Sequence, residues 1–424
     1  MSSGGYTLAM STQEPAPSVQ AGQPGPSALA TKDDPGAGFG VLVLLMIATF
    51  GFATSVTMLG PLLVDLSHEL DVSLGQAGLL AAALAVSWAV TAPFAGLLSD
   101  RFGRRPMIVL ALSGLGIVTV GAGLAPNYGS LVALRVLAGL FGGFGPAAVL
   151  AAAGDLFPPH RRGMAMGWAN LGFSMAAIAG VPGIGAIGGA LGWRWAFAAA
   201  GLVLIGLGLL IRLTFPVARV VHAAGDAPIS YRAVLGLPGL WSILAANLFE
   251  RTLFNLGVLY LPSFLMLSYG LNAAQVAPTL VMVAIGSIVG TMGGGWLGDR
   301  FPKATIFVVA QALAGTVALA LFTQAPGLTI SAAGGALFGL LNASSRPALL
   351  ALSAELSSRH RGAVLGIFSV TNQGGVVVGS SMGGLAIGLS GYGGLAATMA
   401  VDAALASGLA LPLLRRRAIG NRPR

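Results

Sequence analysis

The sequence predicts an all-α membrane protein of twelve transmembrane helices in two six-helix bundles, a parallel 6+6 repeat. Three observations predict it. Only 8% of the 424 residues are charged and 55% are hydrophobic, where a soluble domain is about a quarter charged; the mean hydropathy is +0.85. Twelve apolar runs each approach or exceed the roughly 20 residues that a helix needs to cross a bilayer. Motifs of the first half also return in the second at a constant offset of 199 residues.

Residues 1–37 are rich in Ser, Pro, Gly and Gln and end in Lys32-Asp33-Asp34. Such a segment cannot bury enough apolar surface to order itself, so a disordered cytoplasmic tail is expected. It has no basic start followed by an apolar core and a small-residue cleavage site, so the first span itself directs insertion. The runs follow at 39–64, 75–98, 106–126, 130–154, 163–190 and 193–212, then at 237–264, 273–298, 304–324, 328–352, 362–389 and 393–414. Helix is required in each, because an unclosed strand leaves backbone groups unpaired in hydrocarbon. The expected units are therefore an N-terminal bundle at 38–213, a central cytoplasmic loop at 214–236, a C-terminal bundle at 237–414 and a basic cytoplasmic tail at 415–424.

The net charge of +9 raises the question of a nucleic-acid partner, and the positions of the 22 Lys and Arg residues answer it. With a cytoplasmic N-terminus, 18 of them fall in cytoplasmic segments, Arg194 alone falls outside, and Arg135, Arg251 and Arg346 fall within spans. That bias places both termini in the cytoplasm and makes the basic pI a topology signal, with no nucleic-acid partner expected. No cysteine and only 4 His leave no thiol chemistry, disulfide or metal-ligand cluster. Nothing matches a P-loop, so no cofactor, metal or enzymatic reaction is expected.

The repeat is legible residue by residue. Gly96-Leu97-Leu98-Ser99-Asp100-Arg101-Phe102 returns as Gly295-Trp296-Leu297-Gly298-Asp299-Arg300-Phe301, Arg162-Gly163 as Arg361-Gly362, and Gly192 as Gly391. Asp155 has its counterpart in Glu355, one residue out of step. Since 199 residues hold six spans, the halves share one orientation, and substrate sites of such repeats lie near the midplane between halves.

The turn after the second span continues as Gly103-Arg104-Arg105. Gly96 lets two helices approach, Gly103 allows a backbone conformation unfavourable to other residues, and Asp100 can accept from a helix N-terminus. Positive-inside placement alone accounts for Arg105 equally well. With the second copy, the twelve spans and the repeat, this segment resembles the major facilitator superfamily, whose hallmark is G-x-x-x-D-R-x-G-R-R, over about residues 38–414. The resemblance implies a cytoplasmic gate of Gly96, Asp100, Arg101, Gly103, Arg104, Arg105 and Asp155, with Asp299, Arg300 and Glu355 as a second, weaker copy. In it Asp100 faces the start of the eleventh helix at Gly362, and Arg101 or Arg104 pairs with Asp155. The second copy departs from the pattern in Pro302-Lys303.

Two segments resemble the drug:proton antiporter branch, in its sugar-efflux and purine-efflux type. One is Leu131 to Gly139, with Arg135 in the outer part of the membrane. The other is Gly180-Val181-Pro182-Gly183-Ile184-Gly185, where the usual G-P pair reads G-V-P. Tight, kinked packing explains these glycines and the proline equally well.

Five ionisable residues lie within spans: Arg135, Glu250, Arg251, Arg346 and Asp402. Glu250 is about 20 Å along its helix, close to the midplane. A titratable carboxyl at that depth suits proton coupling. The alternative is a buried structural pair with an arginine of the other half. Neighbours on a helix point about 100° apart, so Glu250 and Arg251 are expected to pair poorly with each other. Drug antiporters often carry an acid in the first helix; Phe39 to Val64 holds none, which turns attention to Glu250. Asp402 is expected to be satisfied by packing or interfacial, and Arg346 either snorkels or meets substrate.

Beside Arg135, Arg251 and Arg346, the cavity candidates are Asn170, Asn247, Phe254 and Asn255, with Asn342 and Asn372 further on. Gln275, Ser344, Ser345 and Gln373 are polar alternatives, and Trp88, Phe173, Phe338 and Phe368 could line an apolar pocket. The expected function is secondary transport of a small organic solute by alternating access, as proton-coupled efflux from the plasma (inner) membrane. The expected partners are the solute, protons and the lipid bilayer, and the expected state is a monomer. Proton-coupled uptake of an organic anion is the alternative. A non-transporting membrane sensor on the same fold would need an output domain or long loop, and the sequence has neither.

Overall fold

The computed structural model describes Met1 and residues 35–158, 161–216, 234–356 and 361–420. Nearly all of the expected tail at 1–37, most of the central loop at 214–236 and the last four residues lie outside them. The helices are α1 (Gly38–Glu69), α2 (Leu74–Phe102), α3 (Arg104–Gly123), α4 (Tyr128–Leu156), α5 (Gly163–Leu191) and α6 (Trp193–Thr214). They continue with α7 (Leu240–Tyr269), α8 (Ala273–Arg300), α9 (Lys303–Gln324) and α10 (Leu328–Glu355). The last helical stretch, Arg361–Gly420, loses helical geometry at Ser390 and at Gly391, whose φ is +61°. It is therefore two helices, α11 (361–389) and α12 (392–420), which brings the spans to the expected twelve. Among the described residues there is no strand.

Helix starts repeat as the sequence does. Ser73 and Gln76 form a reciprocal capping box at the start of α2, and Asn272 and Gln275, 199 residues on, form one at the start of α8. Gln275 thus serves its own helix end, which corrects its reading as a cavity candidate. At the other end, Gly103 turns α2 into α3 with φ +93°, a conformation for which glycine is suited; its repeat Pro302 makes the α8–α9 turn at φ −58° instead.

The apolar core shows how the bundles meet. At the Gly192 end one cluster runs through both halves, joining Leu59 and Leu62 of α1 and Leu80 of α2 to Leu256, Phe264 and Val276 of α7 and α8. At the Gly103 end the core divides: Leu45, Ile108 and Ala152 belong to an N-terminal cluster, and Ile243, Phe307 and Leu349 to a C-terminal one. Backbone proximity agrees. A methyl group on Gly75 of α2 would lie 2.7 Å from the Gly384 carbonyl oxygen of α11, and one on Gly189 of α5 would lie 2.6 Å from the Ala274 nitrogen of α8. The two bundles are thus sealed together at one end and carry separate cores at the other.

Candidate functional site

About a third of the way along α7, Glu250 is fully buried. Arg251 donates from Nε to Oε2 at 2.7 Å and from Nη2 to Oε1. Arg346 of α10 donates from Nη1 to Oε2 at 3.0 Å, and from the same nitrogen to Asn247 Oδ1 at 2.8 Å. Its Nη2 reaches Asn372 Oδ1 of α11 at 2.9 Å. Asn247 in turn donates to the Phe368 carbonyl at 3.0 Å and to Thr371. The guanidinium of Arg251 lies over Phe254 at 4.5 Å and that of Arg346 over Phe368 at 5.1 Å. One acid, two cations and three amide or hydroxyl side chains from α7, α10 and α11 form one network, with aromatic faces backing both cations.

This geometry corrects two expectations. Glu250 and Arg251 do pair: a separation of about 100° on the helix concerns the Cα–Cβ directions, and two long side chains fold back across it. The second arginine comes from α10 of the same bundle, so the network does not tie the halves together. Its net charge is positive, and the exposure is uneven. The Glu250 side chain is 0% exposed, while Arg251 and Arg346 are 18% and 25% exposed, so the accessible part of the network is cationic.

The other candidates are distributed. Arg135 is buried in the N-terminal bundle, donating to the Leu80 carbonyl at 3.3 Å with its Nη2 unpartnered. Asn170 is exposed and bonds back to Met166 of its own helix. Asn255 joins α7 to α11 through Ser380 Oγ at 3.0 Å. Asn342 is fully buried on α10 with neither end of its amide partnered. Ser345 accepts from Gln311 of α9, inside the C-terminal bundle. Phe338 is buried and packs where Gly257 leaves room.

At the Gly103 end Arg104 is the centre. It pairs with Asp155 at the end of α4 at 2.7 Å and with Asp100 at 2.5 Å, and donates to Ser99 Oγ at 2.9 Å. Among the described residues Asp100 pairs with Arg104 alone; residues 357–360 lie outside them, as do the side chains of 361–363. Arg101 is exposed beside Phe102, and Arg105 donates to the Arg212 carbonyl. In the second copy Lys303 pairs with Glu355, while Arg300 lies over Trp296 at 3.8 Å. Lys303 stands 199 residues after Arg104, and Glu355 200 after Asp155, so the pair itself is repeated. The departure of Pro302-Lys303 from the motif hid this. Asp299 and Gly96 are exposed or nearly so, with no close neighbour where a Gly96 side chain would start.

The glycine motif of α5 follows a π-helical turn at Ala176–Gly180, where the backbone widens before Pro182. A methyl group on Gly180 would collide with Thr54 Oγ1 of α1 at 2.2 Å, and one on Gly185 would meet the Ala273 carbonyl oxygen of α8 at 3.2 Å. Gly183 has open space beside it.

Two features escaped the sequence reading. Glu69, at the end of α1, accepts from Trp193 Nε1 at 2.6 Å and Arg194 Nε at 2.7 Å, which gives Arg194 a partner. Asp402 is 3% exposed, so it is not interfacial, and although the Leu253 backbone of α7 bonds to its carboxyl, Oδ2 has no hydrogen-bond partner, which leaves it only partly satisfied.

Comparison with known proteins places this architecture. The family model described as Major Facilitator Superfamily matches residues 45–334 and 279–423. The chain is 30% identical over 289 residues to the chloramphenicol resistance protein of Streptomyces lividans, covering 67% of this chain and 74% of that one. It is also 30% identical over 270 residues to the inner membrane transport protein YdhP of Escherichia coli, covering 62% and 68%. In fold it is similar to a bacterial homologue of the human lysosomal transporter Spinster, in an inward-facing, unoccupied conformation (TM-score 0.76, 19% identity, 92% and 99% covered). A D-xylose–proton symporter is similar too (TM-score 0.74, 16% identity, 88% and 97% covered). With twelve spans, a repeated turn motif and a family model matched along nearly all of its helical length, the chain belongs to the major facilitator superfamily and is a multi-pass membrane transporter.

Proposed function

We propose that this transporter expels a small organic solute across the inner membrane in exchange for protons, acting as a monomer with both termini in the cytoplasm. The bundles at 38–213 and 237–414 are the two moving units, and the segment 214–236 links them. Arg104, Asp100 and Asp155, with Lys303 and Glu355, belong to the cytoplasmic gate. The observation that carries the reading is the α7 network: a buried Glu250 carboxylate held by Arg251 and Arg346, whose cationic groups are its accessible part. A proton can neutralise Glu250 only when those pairs separate, and a solute that engages the arginines promotes that separation. Solute occupancy and protonation then bias the same element. The named activity of the Streptomyces relative makes chloramphenicol the first solute to try.

The excess of positive charge favours one second reading, uptake of an organic anion with a proton. Reconstitution separates the two whatever the orientation in the vesicle. Inside-acidic proteoliposomes accumulate radiolabelled chloramphenicol if the carrier is an antiporter, and an uncoupler releases it. Accumulation of benzenesulfonate, which does not cross lipid as a neutral acid, in inside-alkaline vesicles alone and above that in protein-free liposomes is the outcome of the uptake reading.

A further inference from the structure

Asp402 lies outside the network just described, on α12. It lines a cavity of about 260 Å³ with Phe249 of α7, Met382 of α11, and Ala397, Thr398, Val401 and Leu405 of its own helix. Met382, Val401 and Leu405 are themselves 43%, 60% and 44% exposed on the outside of the bundle, so the cavity adjoins the lipid-facing flank. The carboxyl is buried and its Oδ2 is unpartnered.

No cation answers this carboxyl among the described residues. The facing titratable group on α7 is Glu250, an acid whose own oxygens are taken by Arg251 and Arg346. The Arg346 donors of α10 go to Glu250, Asn247 and Asn372. Residues 304–324 of α9, 362–389 of α11 and the rest of 393–414 on α12 contain no Asp, Glu, Lys, Arg or His. An ionised carboxylate in such a place has no counter-ion among the described residues, and no side chain or backbone group donates to its Oδ2. A metal ion is a poor occupant, since it needs several oxygen ligands and the only other side-chain oxygen lining the cavity is the single Thr398 hydroxyl. A proton needs a single lone pair.

We infer that Asp402 is a proton-binding site of the C-terminal bundle, occupied in this conformation and separate from the Glu250 network. One proton from water adds to Oδ2 and leaves by the same route; no other bond changes. The site takes a proton without competing with two arginines for the carboxylate, which Glu250 cannot do. It stands whether or not Glu250 is the coupling group, and its test uses no transported solute.

The test is labelling with dicyclohexylcarbodiimide, an apolar reagent that enters lipid and modifies protonated carboxyl groups, on full-length protein in liposomes, read by peptide mass spectrometry. The adduct is expected on Asp402, falling several-fold between about pH 6 and about pH 9, with Glu250 unlabelled because its oxygens are engaged. Asp402→Asn is expected to abolish the adduct and Asp402→Glu to retain it, so that loss of label is distinguishable from loss of fold. In a pH-indicator titration Asp402→Asn is expected to bind about one proton fewer than wild type over the same range. The proposal is overturned if Asp402 carries no adduct at any pH, if its label does not change with pH, or if Glu250 is the carboxyl modified instead.

Discussion

Arg104 holds Asp155 at 2.7 Å across the α2–α3 turn, and Lys303 holds Glu355 in the same place 199 residues on. The two bundles carry one device in two strengths. The Arg104 side chain is 9% exposed and makes three side-chain bonds; the Lys303 side chain is 22% exposed, against a Glu355 that is 46% exposed. Arg104→Gln is therefore expected to lower the melting temperature in detergent by several degrees, since it strands the partly buried Asp155 and removes the bond to Ser99, and Lys303→Gln to lower it little, since exposed pairs contribute about 0–1 kcal/mol. Equal losses for the two variants refute the asymmetry.

The glycine contacts at the sealed end give a second prediction. Gly75→Leu forces α2 away from the Gly384 backbone, where even a methyl group would come within 2.7 Å. The bundles should then part at that end. The chain has no cysteine, so Ala77→Cys, at a fully buried position, supplies a unique reporter. Its reaction with a water-soluble maleimide is expected to speed up several-fold in the Gly75→Leu background. An unchanged rate means that the glycine contact does not hold the seal.

Asn272 and Gln275 cap α8 reciprocally. Gln275→Ala removes one half of that box and is expected to cost about 0.5–1 kcal/mol of stability while leaving the KM for any transported solute unchanged. A raised KM with unaltered thermal stability returns Gln275 to the cavity.

The spans were legible because a bilayer sets a minimum length for each apolar run, and the repeat was legible because both halves meet the same constraints at the α2–α3 and α8–α9 turns. What was not legible depends on reach and enclosure. Lys303 was hidden because the proline that replaces Gly103 disguises the register, although the cationic function stays at the same offset. The Glu250–Arg251 pair was misjudged because helical periodicity fixes where side chains start and says nothing of where long ones end. Asp402 stands alone in its helix, and no spacing rule shows that the packing of Phe249 and Met382 leaves its Oδ2 without a partner.

Glu250 supports the last prediction. In Glu250→Gln the amide keeps the shape but loses the buried charge that balances Arg251 and Arg346, leaving two half-buried guanidiniums facing one another across a neutral group. Breaking a buried pair by removing one partner typically costs about 3–5 kcal/mol, so the variant is expected to melt well below wild type. Adding Arg346→Gln removes one excess cation, and the double variant should melt above Glu250→Gln alone, a non-additivity that reports direct contact. Transport separates the coupling role from this structural one. Where Glu250→Gln protein remains folded in liposomes, it should exchange solute down a gradient but no longer accumulate it when a pH difference is the sole driving force. The double variant, more stable yet without the acid, should be equally uncoupled. If it recovers pH-driven accumulation along with its stability, Glu250 holds the arginines in place and the coupling proton is carried elsewhere, with Asp402 the remaining buried carboxyl of the C-terminal bundle among the described residues.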